Sequence, residues 1–522
     1  MLVSPNSIIK LYSGVPLDNS YENTLYFDNL SAQNSYFHSG RAKYSFQNNT
    51  YQRVNKNRLR INASIGGLYD CNYIAFQNRD FGDKWFYGFI TAVEYVNNVT
   101  SEVEYEIDVM QTYLFDITMN WCFVEREHTP SDAIGVNIEP EPITVGEYTY
   151  QNYKKIKDNS GRTLFEDCCI CILMADTDGN STLIDGILTG GKITCVQNSE
   201  KGVAYINTLL ALYAENPDNI IAMYMCPKHL VNLSDLYKTL TNFNSQNFNV
   251  KVDKVTSDFD GYTPRNKKLY TYPYCYLKVD NNNGQSLCLR YEFFKDQQPV
   301  VNIEGSVLMP VQIVLRPENY KGCGESSLSS ESITLNSFPQ CSWNVDSYSA
   351  WLAQNSVPIA INGVVAGANI GTNIGIGLAS GNVNAVMSGM NSGIQTIGNL
   401  LTQNYQASIK ADECRGNISS ANVNVAKGKQ TFYTMEAKVN KRDAMIIDGF
   451  FTRYGYAVNK VKKPVFKNRP HYTYIKTNSA TAVGKCPADD TKKFCKILDK
   501  GITFWVNANE VGDYNLNNSV DY

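Results

Sequence analysis

The clearest periodic signal in the chain is SEVEYEIDVM, where Glu102, Glu104, Glu106 and Asp108 alternate with Val103, Tyr105, Ile107 and Val109. Successive side chains of a strand point to opposite faces. The spacing therefore predicts a half-buried strand with one acidic and one apolar face. Around it, VPLDNSYENTLYF, INASIGGLYDCNYIAF and KWFYGFITAVEYV are β-branched and aromatic runs broken by Asn, Asp and Gly, the pattern of strands and turns. YPYCYLKVDNNNGQSLCLRYEFF predicts a hairpin about Asn282, Asn283 and Gly284, and VVNIEGSVLMPVQIVLRP a further strand pair. KGVAYINTLLALYAENPD predicts a helix stopping at Asn216-Pro217, and HLVNLSDLYKTLTNF a weaker helix. A polar helical stretch is expected from Lys410 to about Lys441, then strands in MIIDGFFTRYGYAV, RPHYTYIKT and ITFWVN. Pro140 and Pro142 cannot donate to a central ladder, so NIEPEPITVGEY marks a boundary.

One stretch breaks this pattern. After Asp346 no Lys, Arg, Asp or Glu occurs until Lys410, a run of 63 residues in a chain that is 19% charged. Its first half carries Val357, Ile359, Ile361, Val364, Val365, Ile370, Ile374, Ile376 and Leu378. That is long enough to cross a bilayer core, which takes about 20 helical residues. Gly363, Gly367, Gly371 and Gly375 recur every fourth residue, on one face of a helix, as in small-xxx-small packing. Asn362, Asn369 and Asn373 interrupt the apolar surface, so the pattern fits self-association with a polar interior better than a simple lipid anchor. The second half spaces Val383, Val386, Met387, Met390, Ile394, Ile397, Leu400 and Leu401 by threes and fours, an amphipathic helix whose other face is Asn, Ser and Gln. Such a face can meet water or protein without burying an ion. A buried core pair and a flexible linker are the competing readings. Nine Gly between 357 and 400 weaken the first, and the wealth of Ile, Val, Leu and Met weakens the second. Membrane insertion fits best.

Composition narrows the function. Tyr (35) exceeds Phe (22), and the net charge of −3 gives no global basic footprint for nucleic acid. The run Lys460, Lys462, Lys463, Lys467 and Arg469 is interleaved with Val, Pro and Phe and reads as a strand end and loop. MLVSPNSIIK lacks a basic, then apolar, leader pattern, so synthesis in a cytosol and reduced thiols are expected. Cys168, Cys169 and Cys171 then read as small hydrophobes, because no second pair stands at zinc-finger distance. No metal or other cofactor is expected. His38, His128, His229 and His471 form no H-E-x-x-H pair, and no G-x-S-x-G or phosphate-binding loop occurs. Glu139 and Glu141 flank a Pro and read as solvated; Glu125-Arg126-Glu127-His128 reads as a salt-bridged strand end. The chain is not read as an enzyme, and no catalytic residue is expected.

NSIIKLYSGVPLDNSYENTLYFDNLSAQNSYFHS resembles the start of the tail knob, or distal tail-tube, proteins of short-tailed phages of Gram-positive hosts, the salasmavirus and picovirus types. YEIDVMQTYLFD, FVEREH and NIEPEPITVGEYTY are similar to that family too, as are MIIDGFFTRYGYAVNKVKKP and RPHYTYIKT near the other end. The resemblance implies a mainly β protein with some helix (α+β), built as tandem tail-tube-type β-barrels with a long apolar helical or loop insertion. The expected organisation is an N-terminal tube domain over 1–135, a mixed α/β knob-side domain over 136–260, a second β domain over 261–346, the uncharged membrane-active loop and return helix over 347–430, and C-terminal strands completing the β domain over 431–522. The family implies a homohexamer at the distal end of the virion tail, plugged by its apolar loops, which leave at genome ejection and form a pore in the host membrane. Implied partners are the chain itself, other tail proteins (lower collar, appendages, tail-tip protein), host membrane lipids, and genomic DNA passing without specific binding. Glu102, Glu104, Glu106 and Asp108 are candidate lumen-facing acids, since negative charge would keep DNA from sticking; an outward, solvated face of a half-buried strand is the equal alternative. A receptor-binding fibre and a wall-degrading tail component are the alternatives. The first leaves the uncharged run unexplained, and the second lacks a carboxylate pair or metal motif.

Overall fold

In the computed structural model of the chain, the described residues are 7–49, 57–78, 82–157, 161, 163–164, 168–175, 182–212, 219–309, 311–321, 331–335, 340–342 and 431–520. They are mainly strand with a few short helices, the α+β character expected from the alternating and β-branched runs. They divide into two units, each assembled from separated stretches: 1–147 with 257–274 and 439–522, and 148–256 with 275–438. This division cuts across the five consecutive segments of the sequence reading.

The first unit holds a six-stranded sheet in the order Tyr44–Asn49, Ser7–Ser13, Cys71–Asn78, Trp85–Asn97, Thr100–Ile107, Arg58–Ile61. Alternation buries both faces of it. Ile9, Leu11, Ile74, Phe76, Val103 and Tyr105 form one core. Tyr12, Tyr73, Tyr87 and Phe89 face another, shared with Val124, Tyr472, Phe504 and Trp505. Those last residues come from a five-stranded sheet ordered Asn23–Leu25, Ile502–Trp505, Tyr472–Asn478, Cys122–Glu127, Tyr456–Lys462, in which N- and C-terminal segments interleave.

The second unit has a five-stranded sheet ordered Tyr237–Leu240, Gly191–Gln197, Cys168–Ala175, Ile220–Pro227, Gln340–Ser342. A four-stranded sheet is ordered Tyr148–Lys155, Tyr433–Val439, Cys275–Asp280, Ser286–Leu289, and another Phe248–Lys251, Val300–Ser306, Gln312–Pro317, Ile333–Leu335. The hairpin about Asn282–Gly284 forms as expected, with Asn282 at φ 52° and Gly284 at φ 86° turning the chain between Cys275–Asp280 and Ser286–Leu289.

Three expectations about elements are corrected. MIIDGFFTRY is not a strand but most of the helix Lys441–Tyr454, and strand begins only at Tyr456. The polar helix expected up to Lys441 gives way to strand at Tyr433–Val439. HLVNLSDLYKTLTNF yields one helical turn, Lys228–Val231, ended by Asn232 in the left-handed region, and then the strand Tyr237–Leu240. The helix Glu200–Leu212 stands where periodicity put it. The helices Leu30–His38 and Ala488–Lys500 are additions to the sequence reading.

Candidate functional site

The uncharged run, with every candidate membrane-active position from Val357 to Leu401, lies outside the described residues. Its frame is described. The incoming strand Gln340–Ser342 is the edge of the second unit's five-stranded sheet, pairing Gln340 with Tyr224 and Ser342 with Ala222. The outgoing strand Tyr433–Val439 is internal to a four-stranded sheet, between Tyr148–Lys155 and Cys275–Asp280. The described strands that precede and follow the run thus belong to sheets of one unit. The outgoing side is fixed by a buried ion pair, Glu436 Oε2 to Lys438 Nζ at 2.9 Å, with the two side chains 3% and 0% exposed. Buried charge is tolerated only when paired and hydrogen-bonded. Glu436 meets this condition by accepting from Thr256 N (3.0 Å), Thr256 Oγ1 (2.7 Å) and Asn152 Nδ2 (2.9 Å). Just before it, buried Phe432 accepts from Ile156 N at 2.8 Å. Among the described residues no helix is long and apolar enough to cross a membrane.

The acidic strand forms as Thr100–Ile107, with Ser101, Val103 and Tyr105 buried and Glu102, Glu104 and Glu106 partly exposed. The row is not purely acidic in its surroundings. On the adjacent strand, Arg58 Nη2 lies 3.0 Å from Glu104 and Arg60 Nε 3.0 Å from Glu102, while Arg58 Nη1 reaches Glu102 at 3.3 Å and Glu94 at 3.5 Å. The Arg60 hydrogen bond, aided by Arg58, holds the Glu102 carboxyl below the usual range. Glu106 pairs with Lys493 and accepts from Asn19. Burial pushes its carboxyl up, but those two bonds outweigh it and leave it lowered.

Asp108 leaves the row, which corrects the expectation for that residue. The strand stops at Ile107, and Asp108 caps the helix Val109–Tyr113, accepting from Met110 N at 3.0 Å and Gln111 N at 3.2 Å. It is 1% exposed and accepts from Tyr73 OH at 2.8 Å. Burial pushes its carboxyl up to about 6, against the pull of those hydrogen bonds. Strand alternation alone gives no sign of this; the cue is an Asp immediately before a short apolar helix, a capping position.

Glu125-Arg126-Glu127-His128 is a salt-bridged strand end, as expected. Glu125 pairs with Lys476, Glu127 with Lys462, and Arg126 with Glu141. Glu141 is not solvated: its side chain is fully enclosed, paired also with Lys268 and accepting from Ala457 N. His128 accepts at Nδ1 from Tyr474 N (2.8 Å) and faces the Thr452 carbonyl with Nε2 (3.1 Å), which fixes a neutral tautomer. Burial first, and Arg469 second, hold it at about 3. The basic run disperses likewise: Lys462, Lys467 and Arg469 are paired with Glu127, Asp28 and Asp132.

Comparison with known proteins places these elements. The family model for the C-terminal domain of tail knob protein gp9 of Bacillus phage phi29 matches residues 237–519, more than half of the chain. The model for the N-terminus of caudoviral major tail proteins matches residues 5–118. The chain is 25% identical to tail knob protein gp9 of Bacillus phage PZA and 24% identical to that of phi29, in each case over 98% of both chains. In fold it resembles the tail knob protein gp12 of bacteriophage C1, with a TM-score of 0.66 over 99% of this chain and all of that one, at 13% identity.

Proposed function

The chain belongs to the phage tail knob family, and from that premise we propose that it forms a homohexameric ring at the distal end of the tail, closed by its uncharged segments until ejection and opened into the host membrane by their release. It is a structural component of a phage tail, with a tail-protein domain at its N-terminal end. The observation that carries the finer reading is the run of 63 residues without charge, preceded and followed by described strands that belong to sheets of one unit. Apolar loops exposed together in water would make an aggregation-prone patch, so before release they bury one another inside the tube end. Gly at 363, 367, 371 and 375 permits close backbone approach there and again in lipid. The absence of charge removes the barrier between the two locations. Partners in this reading are copies of the chain, neighbouring tail proteins, membrane lipids, and DNA moving through the lumen. Glu102, Glu104 and Glu106 remain candidates for the lumen wall. With Arg58, Arg60 and Lys493 beside them that wall would be near neutral, enough to deny phosphates a net basic footing.

Dye release from liposomes tests the reading, with mild heat or acid opening the ring. Intact protein should release dye, and protein lacking 357–401 should still assemble by native mass yet release none. A single Asp at Gly367 or Ile376, carried by six copies to the bilayer centre, should cost on the order of 15–20 kcal/mol per pore and silence leakage. Equal leakage from deleted and intact protein would remove the segment from any role beyond plugging, and a stable monomer or trimer at micromolar concentration would remove the ring.

A further inference from the structure

The strands at the centre of the second unit's five-stranded sheet bring together cysteines that are far apart in sequence. Cys169 and Cys171 stand two apart on Cys168–Ala175, and therefore on one face. Cys195 is the direct partner of Cys171 on one neighbouring strand, and Cys226 of Cys169 on the other. All four share that face, and all are 0% exposed. The Sγ atoms of Cys169, Cys171 and Cys195 lie within 4.8 Å of one another: Cys169 to Cys171 is 4.0 Å and Cys171 to Cys195 is 3.0 Å.

Plain packing does not account for this arrangement. Apolar atoms rest at about 3.5–4.0 Å, so sulfurs at 3.0 Å are closer than apolar packing alone brings them. A disulfide would use two sulfurs and leave the third crowded beside them. Four thiols on adjacent strands also offer what soft metal ions require, several sulfur donors converging on one point. With Zn–S near 2.3 Å, tetrahedral sulfurs stand roughly 3.8 Å apart. The Cys169–Cys171 separation is close to that, and the Cys171–Cys195 pair reaches it by a small opening of one side chain. Local C-x-x-C spacing, the usual zinc signature, is blind to such a site because the ligands come from three strands.

We propose that Cys169, Cys171 and Cys195, with Cys226 on the same face as a fourth donor, bind a soft d10 cation, Zn2+ or Cu+, that staples three strands of this sheet. Binding exchanges protons for metal: three thiols lose three protons, and three metal–sulfur bonds form with no change of oxidation state. Cys288, which is exposed, lies outside the cluster and serves as the control.

The test uses the full chain, purified anaerobically and offered Zn2+, Cu+ or Co2+ alone. Elemental analysis should find about one metal ion per chain surviving gel filtration. Co2+ should give intense near-ultraviolet sulfur-to-metal absorption, and Zn2+ addition should release protons. C288S should bind as the wild type does, and C171S should bind less than a tenth as much. Wild-type spectra and metal content decide the matter even if C171S fails to fold. Metal lost on gel filtration, no cobalt–sulfur band, or a chain that takes up two alkyl groups too few under denaturing, non-reducing alkylation (a Cys171–Cys195 disulfide instead) each overturn the proposal. Retention of Cu+ but not Zn2+, or the reverse, identifies the ion.

Discussion

Asp108 shows how one carboxylate can serve two duties at a cost that depends on pH. It caps a helix and receives the Tyr73 hydroxyl, yet its burial raises it from 3.8 to about 6. An acid raised on folding binds more protons in the folded state. Its contribution is full below about 3.8 and is lost as pH rises through about 6. His128 works the other way. Depressed from 6.5 to about 3, it contributes fully above 6.5, and that contribution is lost as pH falls toward 3. The two cancel in part between pH 4 and 6, so the wild-type profile alone is uninformative. Its difference from Asp108→Asn isolates the carboxyl: the variant should gain relative stability, on the order of 2–3 kcal/mol, as pH rises from 4 to 7. Asp108→Ala, which leaves the cap and the tyrosine without an acceptor, should lose about 2–3 kcal/mol at pH 5. Urea unfolding followed by tryptophan fluorescence measures both, and parallel pH profiles for wild type and Asp108→Asn would refute the assignment. The alternation of 102–107 was readable in sequence. The fate of Asp108 was not, because capping depends on where a strand stops, and so on the turn that follows.

At the scale of elements, the helix Lys441–Tyr454 is the instructive error. Its β-branched and aromatic composition reads as strand, and exposed Met445 and Ile446 hide the period. Its buried positions Ala444, Ile447, Asp448, Phe451 and Thr452 nevertheless follow helical spacing, Asn440 caps it onto Asp443 N, and Gly455 ends it. Gly455 sits at φ 64° and ψ −149°, where a Cβ would meet the Glu127 carbonyl oxygen at 2.2 Å and His128 N at 2.5 Å. Gly455→Ala is therefore strained in backbone and in space together. It should cost roughly 3 kcal/mol or more, read as a lower thermal midpoint, with Gly449→Ala, where a Cβ meets nothing within 4 Å, as the tolerant companion. Ala488–Lys500 carried its signals openly: Pro487 before it, Asp489 and Asp490 in the first turn, Lys500 in the last and Gly501 after. The Cys169–Cys171–Cys195 cluster could not be read at all, since register between two strands is a tertiary fact.

For the whole molecule, the uncharged run was legible because composition needs no fold to be seen, while the division into two interleaved units needed the C-terminal strands to be placed beside the N-terminal ones. That interleaving has a consequence in time. Arg126 donates to the Gly455 carbonyl across 329 residues of chain, and Cys122–Glu127 is flanked on both sides by strands that come after residue 455. At about 5–20 residues per second on the ribosome, the first strand waits on the order of twenty to sixty seconds for its neighbours. The six-stranded sheet, complete by Ile107, can fold during that wait. A chain stopped at residue 430 should therefore keep strand signal by circular dichroism but lose the cooperative unfolding of the first unit and aggregate; a soluble, cooperatively folding 1–430 fragment would contradict the interleaved arrangement. The greasy segment leaves the ribosome inside the same interval, before the strands that close the first unit exist. Each newly made copy thus passes through a stage in which 63 consecutive residues without a charge have been made and the strands that complete its first unit have not.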